Sequence, residues 1–291
     1  MKFPMGLGAG TLAAIFVLCR GLSCVAAGCA VYLGAYLVGG TAYLTSDNTH
    51  LAALAVAAVV AASNVVNDIY DVDLDTVDKP WRPIPSGAIR VRWAWTLFWT
   101  LSATSSILGF EISRVSGWLV LLNLILGFVY SAALKGTFLV GSAVVAIQAG
   151  LSVAYGAIVH NGVPSTVWEA SAIVSVYWIT YLILITIRDA ESDGEFNITT
   201  LATKLGPERA SVCFHMGVAA CVIAIALELC VVDNKAERLL PGVAFLAPLL
   251  VTAAMVGDGM KRARILLGIR LLRMTWLPSV VLLAMVSRKV T

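Results

Sequence analysis

The sequence predicts an all-α membrane protein with about nine transmembrane helices. Three observations carry that expectation: a composition short of charge, long apolar segments that recur along the whole chain, and the uneven placement of lysine and arginine. Of the 291 residues, 59% are hydrophobic and 13% are charged, and the mean hydropathy is +0.89. A soluble domain is about a quarter charged. So few charges cannot cover a water-facing surface, so lipid is the solvent for most of this chain. The net charge of +3 is spread without a basic stripe, which excludes nucleic acid as a partner. No protein partner is implied either.

The helices are expected near 14–40, 51–69, 93–112, 117–134, 140–159, 167–187, 209–231, 240–256 and 266–286. Each is close to the roughly 20 apolar residues that cross a bilayer. At the N-terminus, Lys2, the apolar run from Met5 to Cys19 and the small residues Ala26 to Ala30 imitate a secretory signal. Apolarity continues past Arg20 to Gly40, so the segment is read as a retained membrane helix. The eighth segment carries Pro241 and Pro248, and the ninth is interrupted by Arg270, Arg273 and Pro278. No linker or low-complexity tract divides the chain, so residues 1–291 are expected to form a single domain. The six cysteines lack metal-ligand spacing and are read as small apolar residues buried in helices.

Charge sets an expected orientation. With the N-terminus in the cytosol, the even-numbered loops hold Lys79, Arg82, Arg90, Arg92, Lys135, Arg188, Lys204, Arg209, Lys261, Arg262 and Arg264. The odd-numbered loops hold only Arg114, Lys235 and Arg238. That bias is the one expected of cytosolic loops, although the tail residues Arg288 and Lys289 run against it. Two loops are long, near 70–92 and 188–208, and both fall on the cytosolic side, where function on a compact scaffold tends to sit.

The first long loop concentrates acid. Five of the 17 acidic residues lie within the eleven residues from Asp68 to Asp78. If the second helix continues through them, Asn67, Asp71 and Asp75 recur every four residues and Asp68 joins the same face, whereas Asp73 and Asp78 point elsewhere. Crowded carboxylates repel one another, and at a membrane boundary they also lose hydration. A cation removes both costs, and oxygen-only donors suit Mg2+, which commonly bridges to phosphate oxygens. A solvated acidic loop is the alternative. The second long loop opens with Arg188, Asp189, Glu191, Asp193 and Glu195, again with two aspartates four apart at a helix end, for which a charged helix terminus is the alternative.

The candidate catalytic residues are therefore Asn67, Asp68, Asp71, Asp75, Asp189 and Asp193, and the five aspartates are the candidate metal ligands. The two motifs end the second and sixth helices on one side of the membrane, which suggests an internal repeat that brings the acids together around a polyanion. Lys79, Arg82, Lys135 and Arg188, with Tyr130 beside Lys135, are candidates for binding a diphosphate as charge develops on it. The alternative for the basic residues is an ordinary positive-inside role. Pro80, Pro83, Pro85 and Gly87 are expected to hold the first loop in a fixed non-helical path.

These residues resemble the UbiA superfamily of membrane prenyltransferases. Asn67, Asp68, Asp71 and Asp75 match its NDxxDxxxD, and Lys79 to Gly87 match its KPxRPIPSG. Tyr130-Ser131, Leu134-Lys135 and Gly141-Ser142 resemble its YS…LK…GN stretch, and Asp189, Asp193 and Phe196 to Leu201 its second acidic motif. The resemblance runs from Arg20 to about Gly206. It implies nine helices around a central cavity with a cytosolic cap, Mg2+, an allylic prenyl diphosphate and loss of pyrophosphate. Within the superfamily, Arg20 to Gly40 and Val140 to Val159 resemble the branch that makes digeranylgeranylglyceryl ether lipids, and 196–206 is equally similar to homogentisate prenyltransferases. Three positions depart from the family pattern: Ser23, Ser142 and, aligned on the Thr-Leu end, Thr186 stand where Asn, Asn and an acid are usual; alternatively, Arg188-Asp189 matches the family's KD with about three residues deleted after it.

The cation left after ionisation has two fates within such a superfamily. An acceptor attacks it in a prenyltransferase, or a double bond of the same substrate attacks it in a class I terpene cyclase. Tyr70, Tyr130, Tyr155, Tyr177, Trp178 and Tyr181 could stabilise the cation through their faces or simply pack. A transporter or magnesium channel is the remaining class. It would place charges along a transit path, whereas only Arg20, Glu228, Arg270 and Arg273 lie in mid-helix.

Overall fold

The computed structural model describes residues 9–231, 235–257 and 261–287. Its elements in chain order are α1 (Ala9–Leu18), α2 (Gly21–Gly39), α3 (Thr41–Leu44), α4 (Asp47–Tyr70), α5 (Val72–Asp78), α6 (Val91–Ile112) and α7 (Arg114–Val129). A π-helical turn (Tyr130–Leu134) leads to β1 (Thr137–Phe138), followed by α8 (Val140–Ile158), α9 (Ser165–Glu195), β2 (Thr199–Thr200), α10 (Leu201–Leu205), α11 (Pro207–Val231), α12 (Lys235–Gly257) and α13 (Arg262–Ser287). Lys2, Arg288 and Lys289, which enter the reading of the N-terminus and of orientation, lie outside the described residues.

Every apolar segment expected from the sequence is helical. Among the described residues, seven helices are long and apolar enough to cross a membrane, and an eighth crossing results if the two halves of α13 count as one. Those halves meet at a bend of 59° beside Pro278, whose ring removes a hydrogen bond and crowds the preceding turn. α6 has the length of a crossing, but Arg92, Glu111 and its Ser/Thr-rich middle dilute its apolarity. The protein is thus a multi-pass helical membrane protein, and a count of nine crossings is not reached among the described residues. Large apolar side chains such as Trp99, Ile107, Leu227 and Leu250 are exposed on the helices, as befits surfaces that meet lipid.

Two compact units are distinguishable by their internal contacts: residues 1–28 with 51–134, and residues 29–50 with 135–291. In the first, α6 packs against α7. In the second, α9 packs against α8, α11 and α13, and α12 against α13. Small residues let these helices approach. A Cβ at Gly34 would lie 1.8 Å from the Val153 carbonyl oxygen, and one at Gly156 would lie 1.9 Å from that of Val31. The backbones of α2 and α8 therefore touch where a side chain would have to part them.

Three local features depart from the expected elements. The first helix breaks at Cys19–Arg20, where Arg20 takes φ 51°. The sixth helix does not stop near residue 187 but runs to Glu195. A two-residue parallel pairing, Thr137 with Thr199 and Phe138 with Thr200, ties the segment after the π-turn to the segment after α9. The cysteines are all free, but only Cys221 is buried and Cys230 is exposed, so burial is not their common property.

Candidate active site

The first acidic motif is carried by the end of α4 and by α5. The helical run from one to the other is interrupted only at Asp71 (φ −89°, ψ 3°). The amide of Asp71 still donates to the Asn67 carbonyl (3.0 Å), that of Asp75 to Asp71 (2.8 Å) and that of Lys79 to Asp75 (2.9 Å). The four-residue register expected from the sequence therefore survives the joint. Asn67, Asp68, Asp71 and Asp75 are all buried, while Asp73 is exposed and Asp78 partly so.

Two arginines converge on this face. The Arg82 Nη1 donates to Asp68 Oδ1 at 2.9 Å and to Asp75 Oδ2 at 2.6 Å. The loop makes this possible. Arg82 N bonds the Lys79 carbonyl, Ser86 N the Arg82 carbonyl and Ile89 N the Pro83 carbonyl, and Gly87 supplies the φ of 75° that turns the chain into α6. The proline-rich stretch is accordingly a non-helical path, as its composition predicts.

Arg20 is the second arginine, and the motif spacing alone does not place it in the site. Its Nη2 donates to Asn67 Oδ1 (3.1 Å) and Asp68 Oδ1 (3.0 Å). The break before it is held by Asn64 Nδ2, which donates to the Cys19 carbonyl at 3.2 Å. The available signal is an arginine inside an apolar segment, which requires a buried partner.

Burial pushes the Asp75 carboxyl above its usual range, against the pull of the Arg82 guanidinium, and the charges of Asp71 and Asp68 add to the rise. Asn67 Nδ2 is a buried donor without a hydrogen-bond partner. Flipping the amide would turn that donor toward Arg20, so the orientation is set by the guanidinium. A buried donor left in this state is costly unless an acceptor reaches it.

The second motif lies within the last turns of α9. Asp193 is buried and Asp189 partly so. Arg188 Nε and Nη2 bind Asp189 Oδ1 and Oδ2 at 2.6 and 2.5 Å, a two-pronged pair. Arg188 thus engages the neighbouring carboxylate of its own helix. Likewise Lys79 Nζ lies 2.6 Å from Asp78 Oδ2. Tyr130 opens the π-turn and Lys135 follows it, a helical irregularity often found at functional positions.

The aromatic residues separate by environment. Tyr177 is buried against Trp276 (4.9 Å) and Phe245 (5.8 Å) and is core packing. Trp178 stands edge-on to Tyr181 at 5.4 Å, and the Tyr181 hydroxyl accepts from Arg273 Nη2 at 3.3 Å. Tyr70 is exposed and lies edge-on to Trp95 and Phe128.

Magnesium suits this donor set. The acidic face offers carboxylate oxygens, hard donors of the kind Mg2+ takes, and each of Asp68 and Asp75 spends one oxygen on Arg82. Among the described residues, no three His, Cys, Asp or Glu side chains converge as a closed metal cage. Mg2+ is commonly held by one or two carboxylates and completed by water and substrate phosphates, so an open arrangement fits it.

Fold and site together define a multi-pass membrane protein with a buried acidic face bound by arginine. The chain belongs to the UbiA prenyltransferase family, which matches residues 27–265. It is similar to the digeranylgeranylglyceryl phosphate synthase of Saccharolobus solfataricus, 34% identical over 180 residues, 59% of this chain and 61% of that protein. The corresponding synthase of Metallosphaera sedula is 36% identical over 187 residues, 60% of this chain and 64% of that one. The aligned region thus spans about three fifths of these relatives' length. In fold, the chain resembles a UbiA homolog from Aeropyrum pernix K1 (TM-score 0.74, 21% identity, 89% of this chain and 97% of that one). It also resembles a UbiA homolog from Archaeoglobus fulgidus bound to GPP and Mg2+ (TM-score 0.70, 21% identity, 93% and 99% covered).

Proposed function

We propose that this chain is one membrane domain that acts as a magnesium-dependent prenyltransferase: it ionises an allylic prenyl diphosphate, releases pyrophosphate and passes the prenyl group to an acceptor. The observation that carries this reading is the buried face of Asn67, Asp68, Asp71 and Asp75, fixed by Arg20 and Arg82. Family membership and the ligands of the A. fulgidus homolog, GPP with Mg2+, support it.

Asp68, Asp71, Asp75, Asp189 and Asp193 would hold Mg2+. The metal supplies Lewis acidity, drawing charge onto the departing diphosphate. The protein's own groups do the rest. Lys79, Arg82, Tyr130, Lys135 and Arg188 bind and orient diphosphate oxygens, in the manner of donors fixed where charge develops. Asn67 Nδ2, the donor without a partner, offers a hydrogen bond to such an oxygen. The apolar helices exclude water from the cation. The active-site loops and the N-terminus face the cytosol in this reading, as the distribution of lysine and arginine suggests.

The test is incubation of purified protein with geranyl, farnesyl or geranylgeranyl diphosphate and Mg2+, with and without a lipid-glycerol or aromatic acceptor. Prenylated acceptor supports transfer. A cyclic hydrocarbon formed without acceptor would replace the transfer step by cyclisation while leaving the ionisation step intact.

A further inference from the structure

A cleft of about 530 Å³ opens at the C-terminal end of α9, lined by Ile187, Arg188, Glu191, Gly194, Arg262 and Ile265 among others. Ile187, Glu191 and Gly194 follow the spacing of one helical face. At 100° per residue, Asp189 falls about 160° and Asp193 about 120° around the helix from Ile187, and neither lines the cleft. The second acidic motif therefore does not account for this space.

The walls are amphiphilic. Ile187 and Ile265 are buried and lie where α9 and α13 enter their apolar spans. Arg262 stands exposed at the rim, and Lys261 and Arg264 flank it. Among the described residues, the ion pair of Arg262 is a long one, Nη1 to Glu191 Oε2 at 3.8 Å between two exposed side chains. Such a pair is weak and readily exchanged. Arg188 also lines the cleft but is paired with Asp189 and is a proposed diphosphate ligand. Gly194 lines the cleft, and a Cβ there would meet nothing within 4 Å.

We propose that this cleft binds the phosphate of an anionic phospholipid, with Arg262 as its principal charge and Ile187 and Ile265 against the first methylenes of the lipid. A guanidinium at a helix end next to apolar walls suits a headgroup joined to a chain, whereas a free phosphate would use only the rim. Basic pockets between membrane helices are the usual setting for such recognition. None of the five candidate metal-binding aspartates lines the cleft, which shares only Arg188 with the proposed diphosphate ligands, and binding there is read without turnover.

The experiment follows thermal unfolding of the full-length protein in neutral detergent during titration with phosphatidylglycerol, phosphatidylcholine or inorganic phosphate. The expected result is a saturable rise in Tm with phosphatidylglycerol that weakens with salt, and no comparable rise with the other two. Arg262→Gln should raise the half-saturating lipid concentration about five-fold, the effect of one basic residue near an anionic headgroup. Gly194→Leu, which adds bulk to the lining at a helical position with φ < 0, should weaken binding by steric exclusion. An equal response to inorganic phosphate would overturn the lipid assignment. So would the absence of any response to phosphatidylglycerol, or a response unchanged in both variants.

Discussion

Arg82 reaches back seven residues to Asp75, with Nη1 2.6 Å from Oδ2, and the same nitrogen holds Asp68. The prolines and Gly87 between the two helices are thus not a passive linker. They deliver a cation onto a carboxylate that is 1% exposed.

Removing that cation should be costly. Arg82→Ala leaves the buried Asp75 carboxylate uncompensated and Asp68 with Arg20 alone, and should lower stability by about 2–4 kcal/mol, somewhat below the loss for a fully buried pair because the guanidinium is partly exposed. Adding Asp75→Asn to Arg82→Ala should recover part of that loss. A double-mutant cycle on thermal unfolding in detergent reads the difference; additive losses would show that the pair does not couple.

Arg20 combines an ion pair with a strained backbone, φ 51°. Arg20→Ala loses the contacts to Asn67 and Asp68 and keeps the strain. Arg20→Gly loses the same contacts but relaxes the strain, and should be more stable than the alanine variant by about 1 kcal/mol. Comparing the two unfolding midpoints checks this, and equal midpoints would remove the strain argument.

How much of this is legible in the sequence follows the range of each interaction. The four-residue spacing of Asn67, Asp71 and Asp75 is local, and it survives the joint at Asp71. The apolar segments are legible for the same reason. The break at Arg20 is not, because a guanidinium 47 residues away in sequence from Asn67 decides it. The extension of α9 to Glu195 escapes the pattern because its last turns are polar, and polarity in a membrane protein reads as loop. The pairing of Thr137 with Thr199 rests on two residues from distant segments and has no periodicity to find. Arg82 is identifiable as a site candidate, whereas its pairing with Asp68 and Asp75 is not, because it depends on the path of the proline-rich loop.

His160 supplies a pH prediction. Its ring stacks on Tyr43 at 3.9 Å, and its Nε2 lies 2.8 Å from Thr49 Oγ1. That hydroxyl donates to the Tyr43 carbonyl, so the imidazole is the donor to it. Burial lowers the histidine's pKa below its ordinary 6.5, so the unfolded chain takes up the proton first. The contribution to stability is therefore complete above pH 6.5 and is lost as pH falls from there through the folded-state value. His160→Gln should flatten the fall in Tm between about pH 7.5 and 5.5 relative to the parent; parallel curves would assign the fall to other groups.

Two glycines should respond oppositely to alanine. Gly34→Ala drives a methyl into the Val153 carbonyl and should destabilise by about 1–3 kcal/mol or more, as overpacking does. Gly194→Ala meets open space inside a helix and should gain up to about 1 kcal/mol from helix propensity. Unfolding of the two variants side by side checks the sign in each case.

The central claim, ionisation of a prenyl diphosphate on the acidic face, is tested most directly by pyrophosphate release. Purified protein should release pyrophosphate from an allylic prenyl diphosphate when Mg2+ and a competent acceptor are supplied, and chelation should stop it. Asp71→Ala should abolish release while the protein still folds and inserts. Release that persists in that variant, or none from any prenyl chain length with any acceptor class by folded parent protein, would contradict the account.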